Sequence, residues 1–312
     1  MIDDPISYEA FTARFSTEQA CIDALFAARW PNGFRCPHCS HSRFYVTRSR
    51  RLPLYECAFC HRQTSLISGT VMEGSSTSLC RWFRAIYLLS QPSGISSTDL
   101  RDILGVTYKT AWLISHKIRH AMSLEIEKRV LSGHVRIEHF DYGPSYYLDA
   151  RHPLLLVAAM NDRHQPEQIR VFQPSPEHVI DEERRITKDG LEVCQSTCTD
   201  GANVVLIPRA GKSLPALRLH KINIRQWLNG TFCGIGPKHL QAYLNEYCFR
   251  SNRQAVNLVP GSLFPGILML CSTSPVLPYP VLTRYKPVLQ PPWKKYESKA
   301  KWRGRWLRVL SA

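Results

Sequence analysis

Apolar side chains recur at helical spacing near the start of the chain. Phe11, Phe15 and Ile22 follow one another at steps of four and seven positions, before Trp30-Pro31-Asn32-Gly33 breaks the pattern. Side chains at such steps share one face of an α-helix, whereas Pro and Gly interrupt helices. We therefore expect residues 1–35 to form a helical lead-in that packs on the next unit.

The same period returns in residues 79–125. Trp82 and Ile86 indicate a first helix, and after a break two further helices are separated by a turn at Gly105. Helix, glycine turn, helix is typical of the helix-turn-helix. A plain three-helix packing unit is the alternative. The polar positions of the third helix, which a recognition helix presents to DNA, are Tyr108, Lys109, Ser115, His116, Lys117 and Arg119.

From residue 133 to residue 274 the apolar period shortens to that of strands. Val135-Arg136-Ile137 and two later runs are rich in β-branched and other apolar residues, which favours strands. We read Leu191–Cys194 as a further strand and Pro237–Phe249 as a helix. The mixture predicts a sheet domain with helices. The two later strand runs are residues 154–159 and 169–172.

The charge balance points to a polyanionic partner. The 312 residues include 40 Lys and Arg against 25 Asp and Glu, a net charge of +15. Such an excess favours nucleic acid through phosphate contacts and counterion release. The Pro-rich segment 275–312 adds to the excess and is expected to be an extended basic arm. No apolar run approaches the ~20 residues of a membrane span, so we expect no membrane partner and a cytoplasmic location.

Four of the eleven cysteines have the spacing of a metal site. Cys36 and Cys39 form one C-x2-C pair, and Cys57 and Cys60 form a second pair after seventeen intervening residues. Four thiolates in this arrangement can close a tetrahedron around Zn²⁺, with no open position for a substrate. The pattern predicts a zinc ribbon over residues 36–72 with a structural ion. Four unligated buried thiols are the alternative.

Arginines are interleaved with aromatic residues between and beyond the two cysteine pairs. Arg43, Arg48, Arg50 and Arg51 lie in the segment that also holds Phe44, Tyr45 and Tyr55. Such a surface suits contacts along a phosphate backbone. An ordinary solvated basic surface is the alternative, because arginines alone do not distinguish one DNA sequence from another.

Several local motifs resemble one family of bacterial insertion-sequence transposases, the family numbered fifteen ninety-five. The resemblance spans roughly residues 15–275. The motifs are Phe34-Arg35-Cys36-Pro37-His38-Cys39, Leu66-Ile67-Ser68-Gly69-Thr70-Val71-Met72, Thr110-Ala111-Trp112, Gly230-Thr231-Phe232 and the block from Pro237 to Arg253.

This resemblance implies an RNase H-like domain of the DDE type over residues 133–274. In such enzymes acidic residues hold two Mg²⁺ or Mn²⁺ ions that activate the attacking oxygen and stabilise the leaving oxygen of a phosphodiester. The implied partner is double-stranded DNA carrying terminal inverted repeats, on which the protein acts as a homo-oligomer. A nucleoid-associated cytoplasmic protein is the expectation.

The family's catalytic positions match this sequence only in part. The family's first Asp falls at Glu138, and its second, in Thr-Asp-Gly, falls at Asp200. The third position falls at Arg218, which leaves Glu246 as a possible substitute ligand. A basic residue of the family is retained as Arg225, which we assign to DNA binding. Because an arginine repels metal ions, we expect cleavage and strand transfer to be impaired.

The sequence therefore predicts an α+β, multidomain protein made of a zinc ribbon, a helix-turn-helix and an RNase H-like mixed α/β domain. One functional hypothesis is a transposase-family protein that binds insertion-sequence ends with impaired chemistry. The other is a non-catalytic, zinc-dependent DNA-binding protein or regulator derived from a transposase. The first needs Mg²⁺ or Mn²⁺ in addition to Zn²⁺, and the second needs Zn²⁺ alone.

Overall fold

The computed structural model describes residues 7–144, 150–180, 183–256 and 263–289. Within these ranges it has ten α-helices and nine β-strands, which divide into two compact units. Unit 1 comprises Met1–Lys128 and Asn245–Arg284, and unit 2 comprises Arg129–Leu244 and Tyr285–Ala312. Residues 1–6 of the predicted lead-in and residues 290–312 of the predicted arm lie outside the described residues.

Unit 1 begins with two short helices, α1 (Tyr8–Arg14) and α2 (Glu18–Arg29). Each starts at a hydroxyl cap: Ser7 Oγ accepts from the N–H of Ala10, and Thr17 Oγ1 accepts from the N–H of Ala20, both at 3.2 Å. Such caps satisfy N–H groups that the first helical turn leaves without a partner. The helices thus occur where the apolar period indicated them.

A three-stranded antiparallel sheet follows, formed by β1 (Phe44–Thr47), β2 (Leu54–Cys57) and β3 (Gln63–Ser65) in that order. One face of the sheet packs on α2 through aromatic rings, whose neighbouring centroids lie between 4.7 and 6.0 Å apart. A small sheet has little core of its own, so this packing supplies its apolar contacts. The rings belong to Phe26, Trp30, Phe34, Phe44 and Tyr55.

Three helices come next: α3 (Leu79–Ser90), α4 (Ser97–Leu104) and α5 (Tyr108–Lys128). Gly105 ends α4 in the left-handed conformation, with φ 61°, and its N–H donates to the carbonyl of Arg101. Glycine adopts this conformation without the steric cost of a Cβ. The order helix, glycine turn, helix is present, and its use as a DNA-binding motif stays a prediction.

The last part of unit 1 comes from the end of the chain. It contains the C-terminal part of α8 (Pro237–Val256), together with α9 (Leu263–Thr273) and α10 (Tyr279–Thr283). The buried ring of Phe264 in α9 lies 4.8 Å from that of Phe11, centroid to centroid. The N-terminal helices and α9 therefore share one core.

Unit 2 is built on a four-stranded sheet with the order β6-β5-β4-β9. The pairs β4–β5 and β5–β6 are antiparallel, whereas β9 lies parallel to β4. A two-stranded ribbon, β7 (Val179–Ile180) and β8 (Arg185–Ile186), precedes helix α6. The sheet strands and the two further helices are β4 (His134–Tyr142), β5 (His152–Met160), β6 (Pro166–Phe172), β9 (Asn203–Ile207), α6 (Lys188–Cys198) and α7 (Pro215–Phe232).

The strand predicted at Leu191–Cys194 is wrong, because this segment lies inside helix α6. Thr187 caps the helix by accepting from the N–H of Gly190 at 3.1 Å. Cys194 and Cys198, four positions apart, are buried against Val135 and Ile137 of β4. A run of four residues was too short to reveal this helical period.

The predicted division into five parts, with an RNase H-like domain over residues 133–274, stays a prediction. The structure contains both helices and sheets, as an α+β fold class requires. In the part of the chain that the structure describes, none of the helices has the length and hydrophobicity needed to cross a bilayer.

Candidate zinc centre and nucleic-acid interface

The four cysteines of the two C-x2-C pairs converge in unit 1. Sγ of Cys36 lies 3.6 Å from Sγ of Cys60, and Sγ of Cys39 lies 3.5 Å from Sγ of Cys57. All four sulfurs lie within 4.8 Å of one another. A tetrahedron with Zn–S bonds of about 2.3 Å has S···S edges of about 3.8 Å, so the geometry fits zinc.

The backbone holds each cysteine pair in the same way. Ser40, with φ 59°, donates its N–H to the carbonyl of Cys36, and His61, with φ 58°, donates its N–H to the carbonyl of Cys57. These left-handed residues fold each loop back on itself, which brings its two sulfurs to one side. Among the described residues, this is the one cluster of three or more His, Cys, Asp or Glu side chains with metal-binding geometry. The histidines beside the cysteines are not part of it.

Two charged residues of α2 fix the ribbon on its neighbours. Arg29 donates to the carbonyls of Ser65 and Leu66 at 3.0 and 2.6 Å, which holds the end of β3. Glu18 accepts from the N–H of Leu79 at 3.0 Å, at the start of α3, and from Arg51 at 2.8 Å. A carboxylate is favourable at a helix N-terminus because the first N–H groups carry partial positive charge. Arg51 is therefore already neutralised.

The other predicted ribbon arginines lie at the surface. Arg43, Arg48 and Arg50 are exposed, and in the described part of the chain none of them forms an ion pair with an acidic side chain. Two aromatic side chains lie on the same ribbon and are unusually exposed for their size: Tyr45 at 65 % and Phe59 at 71 %. Arginines with exposed rings can contact both phosphates and bases. This surface is the best candidate for nucleic-acid contact.

Fewer residues of the predicted recognition helix α5 are exposed to solvent than its sequence indicated. Tyr108 and Lys109, in its first turn, are exposed, and Lys109 Nζ lies 4.6 Å from the ring centre of Tyr279. Lys117, in contrast, is buried and donates to the carbonyl of Glu73 at 3.2 Å. Burial lowers the pKa of Lys117. The assignment of Lys117 to a DNA-facing surface is therefore corrected: its ammonium group faces the interior of unit 1.

Further along α5, Arg119 belongs to a buried ion-pair network. Arg119 Nε donates to Glu246 Oε2 at 2.5 Å, and Arg250 Nη2 lies 2.6 Å from Glu246 Oε1. Burial by itself would raise the pKa of Glu246, but the two guanidinium groups lower it. Arg250 also donates to the carbonyl of Leu89. Glu246 is thus held by two cations inside unit 1 and does not serve as a third metal ligand.

In unit 2, Glu138 lies on β4 and is almost fully buried. Its carboxylate accepts from Lys221 Nζ at 2.7 Å, Arg136 Nε at 2.6 Å, Ser213 Oγ at 2.5 Å and the N–H of Leu214 at 3.2 Å. Burial alone would raise the pKa of Glu138, but these hydrogen bonds outweigh it and lower the pKa to about 2. Two cations thus neutralise this carboxylate at every ordinary pH.

Asp200 lies elsewhere on the sheet. It is exposed in the turn before β9, and its N–H donates to the carbonyl of Leu131 at 3.0 Å. Glu138 pairs in register with Ile207 at the other end of β9. Four residues of strand, about 13 Å, separate Asn203 from Ile207, and Asp200 precedes Asn203. The structure therefore does not bring the two predicted catalytic carboxylates together.

Arg225 on α7 contacts β4. Its Nε and Nη2 donate to the carbonyl of Asp141 at 3.0 and 2.8 Å. The carboxylate of Asp141 pairs with Arg209 Nη2 at 2.7 Å. Arg218, at the family's third acidic position, is exposed on the same helix. Arg225 therefore has a structural role in unit 2, and its contact with DNA stays a prediction.

The groups that hydrogen-bond to the carboxylate of Glu138 could not be predicted from the sequence. Lys221 and Ser213 lie on or before α7, about eighty residues from β4 along the chain. The only signal in the sequence was an acid on a strand that the fold buries. A buried carboxylate requires a partner, but the sequence does not show which basic residue reaches it.

Comparison with known proteins places the ribbon in a family. Residues 16–63 match the family model of the transposase zinc-ribbon domain of IS1595 elements. The chain is also 30% identical, over 130 residues, to an uncharacterized protein in transposable element ISH50 of Halobacterium salinarum. That alignment covers 40% of this chain and 42% of the relative, so the chain spans less than half of the relative's length. No solved structure matches.

The two similarities and the four-cysteine geometry lead to the same conclusion. The family match covers both cysteine pairs, and the sulfurs of those pairs lie at zinc-binding distances. The chain therefore resembles proteins of transposable elements, and its residues 16–63 match the transposase zinc-ribbon domain of IS1595 elements.

Proposed function

We propose that this chain binds the double-stranded terminal inverted repeats of an insertion sequence as a homo-oligomer, and that its DNA cleavage and strand transfer are impaired. The observation that carries the proposal is the zinc ribbon, which matches a transposase domain and presents exposed arginines. The chain would act at the nucleoid in the cytoplasm.

Charge and shape support DNA as the partner. The net charge of +15 favours association with a polyanion. Arg43 directly precedes β1, and Arg48 and Arg50 lie in the loop between β1 and β2, so all three flank a small sheet that zinc would hold in place. Tyr108 and Lys109 lie at the exposed start of α5. Arginines on a rigid element can follow a phosphate backbone, and a helix N-terminus can approach a groove. These residues are our proposed DNA contacts.

The surroundings of Glu138 and Asp200 support impaired chemistry. Two-metal catalysis needs carboxylates that hold ions about 3.5–4 Å apart. Glu138 is held by Lys221 and Arg136, and Asp200 lies at the opposite end of the β4–β9 pair. The residues present therefore do not fit a pair of Mg²⁺ or Mn²⁺ ions, and we derive no catalytic step through such ions.

The RNase H-like nature of unit 2 is part of the proposal. Three antiparallel strands followed by a strand parallel to the first are consistent with that fold. The ion pairs at Glu138 also favour a second candidate function, a zinc-dependent regulator that occupies the same DNA ends without cutting them.

The test is binding and cleavage of DNA that carries the element's terminal repeats by the full-length, zinc-loaded protein. Binding would be measured by fluorescence anisotropy, and nicking and strand transfer by gel assay with Mg²⁺ or Mn²⁺ added or withheld. We expect zinc-dependent binding without cleavage. Cleavage that requires the divalent ion and disappears in Asp200→Ala would overturn the impaired-chemistry part. Equal affinity for unrelated DNA would overturn the recognition of element ends.

The same assay separates the two candidates. A transposase-derived protein that still assembles element ends should bring two labelled repeats into one complex, measured by energy transfer between them. A regulator that only occupies the ends should bind each repeat independently, with no energy transfer. A mixture of repeat DNA and unrelated DNA is the control for non-specific bridging.

A further inference from the structure

A cavity of about 390 Å³ lies within unit 1, between helix α2 and the ribbon sheet. Phe44 and Val46 of β1 and Tyr55 of β2 line it from the sheet. Alternate residues of a strand share a face, and Val46 pairs in register with Tyr55, so these three side chains lie on the face that packs on α2. Val46 is nevertheless 41 % exposed. The helix therefore leaves part of this face uncovered.

The walls of the cavity include flat aromatic rings. Phe26 of α2 lies 5.2 Å from Tyr55 and 6.0 Å from Phe44, centroid to centroid. Phe26 and Phe44 line the cavity and are only partly buried. Aromatic surface of this kind stacks on nucleobases, because every base has a π-face. The volume also lies within the range of about 300–1,000 Å³ typical of small-molecule sites, so the cavity has room for a single base.

A buried hydroxyl group lacks a partner at this cavity. Tyr55 is 5 % exposed, yet in the described part of the chain its hydroxyl forms no hydrogen bond. Burial raises the pKa of Tyr55, whereas the nearby Arg48 lowers it and Asp23 raises it. The hydroxyl is therefore protonated at neutral pH and lies close to two charged side chains of the cavity. Buried phenols usually have a hydrogen-bond partner, and a ligand in the cavity would supply it.

The carboxylate of Asp23 offers an acceptor to the same ligand. Gln19 Nε2 donates to Asp23 Oδ1 at 2.7 Å, which leaves Oδ2 to accept from a bound molecule. Carboxylates accept hydrogen bonds from the exocyclic amino group of cytosine, whereas thymine carries a carbonyl oxygen at the corresponding position. A carboxylate at this place therefore selects a base that carries an amino group.

Two arginines make the cavity suitable for an anion. Arg48 and Arg50 line it and are exposed, and among the described residues neither forms an ion pair with an acidic side chain. Guanidinium groups form strong hydrogen bonds with phosphate. The same charge disfavours the chain's own C-terminal segment as the occupant, because seven Lys or Arg follow Trp293 there and like charges repel. A ligand with a phosphate and a planar ring complements the cavity.

We propose that this cavity binds an unpaired nucleotide of DNA whose base carries an amino group. The base stacks on Phe26 and Phe44, and its amino group donates to Asp23. The Tyr55 hydroxyl donates to an acceptor of the base, and the phosphate lies on Arg48 and Arg50. An already unpaired nucleotide enters without the cost of unstacking a duplex. The inference rests on the DNA binding proposed above and adds an unpaired end to the duplex contacts.

The experiment compares three DNA duplexes of the same repeat sequence on the full-length, zinc-loaded protein. One duplex is blunt, one has a 3′ tail of three unpaired deoxycytidines, and one has a tail of three thymidines. Fluorescence anisotropy measures the affinities. We expect the deoxycytidine tail to strengthen binding about tenfold over the blunt duplex, because each stacked base adds affinity. The thymidine tail should bind about fivefold more weakly than the deoxycytidine tail.

Two conservative variants test the polar groups of the cavity. Tyr55→Phe removes a hydroxyl that no hydrogen bond within the described residues uses, so the ribbon should fold and the advantage of the deoxycytidine tail should fall about threefold. Tyr45→Phe is the matched control, because Tyr45 is 65 % exposed on the neighbouring strand and lies outside the cavity. Asp23→Asn should abolish the preference for deoxycytidine over thymidine. Asp162→Asn, at an exposed turn of unit 2, should preserve it.

A photochemical cross-link locates the base without any substitution in the protein. The first unpaired nucleotide is replaced by 5-iododeoxycytidine, the complex is irradiated, and the attached peptide is identified by mass spectrometry. We expect attachment within residues 19–26 or 44–55, which contain the residues that line the cavity. Attachment only outside these ranges would overturn the inference, even if a variant fails to fold.

Two further results would overturn it. One is a tailed duplex that binds no more tightly than the blunt duplex. The other is a preference for the deoxycytidine tail that both Tyr55→Phe and Asp23→Asn leave intact. Failure of the proposed function is a different result: blunt repeat DNA would then bind no better than blunt unrelated DNA. The effect of the tail is a ratio between duplexes of one sequence, so each proposal can fail without the other.

Discussion

Lys221 Nζ lies 2.7 Å from Oε2 of Glu138. Arg136 Nε lies 2.6 Å from Oε1 of the same carboxylate. At the position where the family resemblance places a metal-binding acid, this chain thus holds a carboxylate between two cations. A divalent ion would have to displace an ammonium group and a guanidinium group from a buried site, which is unfavourable because both would lose their buried partner.

Removing the ammonium group tests whether the pair stabilises unit 2. Lys221→Met should lower the free energy of unfolding by about 3 kcal/mol, because it leaves a buried carboxylate with one cation fewer. Chemical denaturation followed by circular dichroism measures the change. Lys212→Met is the control, since Lys212 is exposed and should change stability by less than about 0.5 kcal/mol.

A double variant isolates the interaction itself. Glu138→Gln combined with Lys221→Met removes the carboxylate together with one of its two cations. The double variant should be less destabilised than the sum of the two single variants, because it leaves neither member of the Glu138–Lys221 pair charged without the other. Strict additivity of the two single effects would contradict the pairing.

The low pKa of Glu138 predicts a dependence of stability on pH. The pKa is about 2 in the folded protein and about 4.3 in an unfolded chain. A lowered folded pKa means stability that is fully present above the unfolded value and is lost as the pH falls toward the folded value. The stability advantage of the parent over Glu138→Gln should therefore be constant above about pH 5 and should shrink as the pH falls from 4.5 to 2.

Comparing the two proteins at each pH removes the contribution of the zinc site. Cysteine thiolates also take up protons in acid and release zinc, but that loss affects the parent and Glu138→Gln equally. If the difference in unfolding free energy between the two proteins stays constant down to pH 2.5, these hydrogen bonds do not set the pKa of Glu138.

The parts of the molecule that could be predicted from sequence are those fixed by nearby residues. The zinc ligands lie in two short loops, so their spacing alone specifies a site. The helices α1 to α5 follow the apolar period and local caps such as Thr17 and Gly105. In each case the residues nearby in sequence were enough to predict the element.

The rest depended on contacts between residues far apart in sequence. Arg119 meets Glu246 across 127 positions, and Lys221 meets Glu138 across 83. Sequence periodicity cannot distinguish a polar surface from a buried ion-pair network, so it predicts the polar residues of α5 to face solvent. Asp200 matched a three-residue motif, but the register of β9 on β4 determines which end of the sheet it occupies.

Zinc removal should unfold the ribbon. Cys36→Ser together with Cys39→Ser removes two of four thiolates, so stoichiometric zinc should be lost and the three-stranded sheet should no longer form. Metal content by atomic emission and protection of β1 and β2 amides from hydrogen exchange measure the two effects. Cys233→Ser is the matched control, since Cys233 is exposed and lies outside the cluster. Zinc retained at one ion per chain in the double variant would show that the ligand assignment is wrong.

The ribbon arginines should divide into two classes by their effect on DNA binding. Arg48 and Arg50 are exposed, whereas Arg51 in the same loop pairs with Glu18 at 2.8 Å. Each arginine that contacts a phosphate contributes close to one unit to the slope of log affinity against log salt. Arg48→Ala with Arg50→Ala should therefore reduce that slope by about two, and Arg51→Ala should reduce it by much less. Fluorescence anisotropy titrations over roughly 50–300 mM salt, a range over which such affinities fall by orders of magnitude, measure the slopes. Arg163→Ala, at an exposed turn of unit 2, controls for the loss of a positive charge elsewhere.

Two outcomes would contradict this division. If the variant with both Arg48→Ala and Arg50→Ala has the same slope as Arg163→Ala, the ribbon does not follow the phosphate backbone. If Arg51→Ala alone has a large effect, DNA displaces Glu18 from its contact with that arginine.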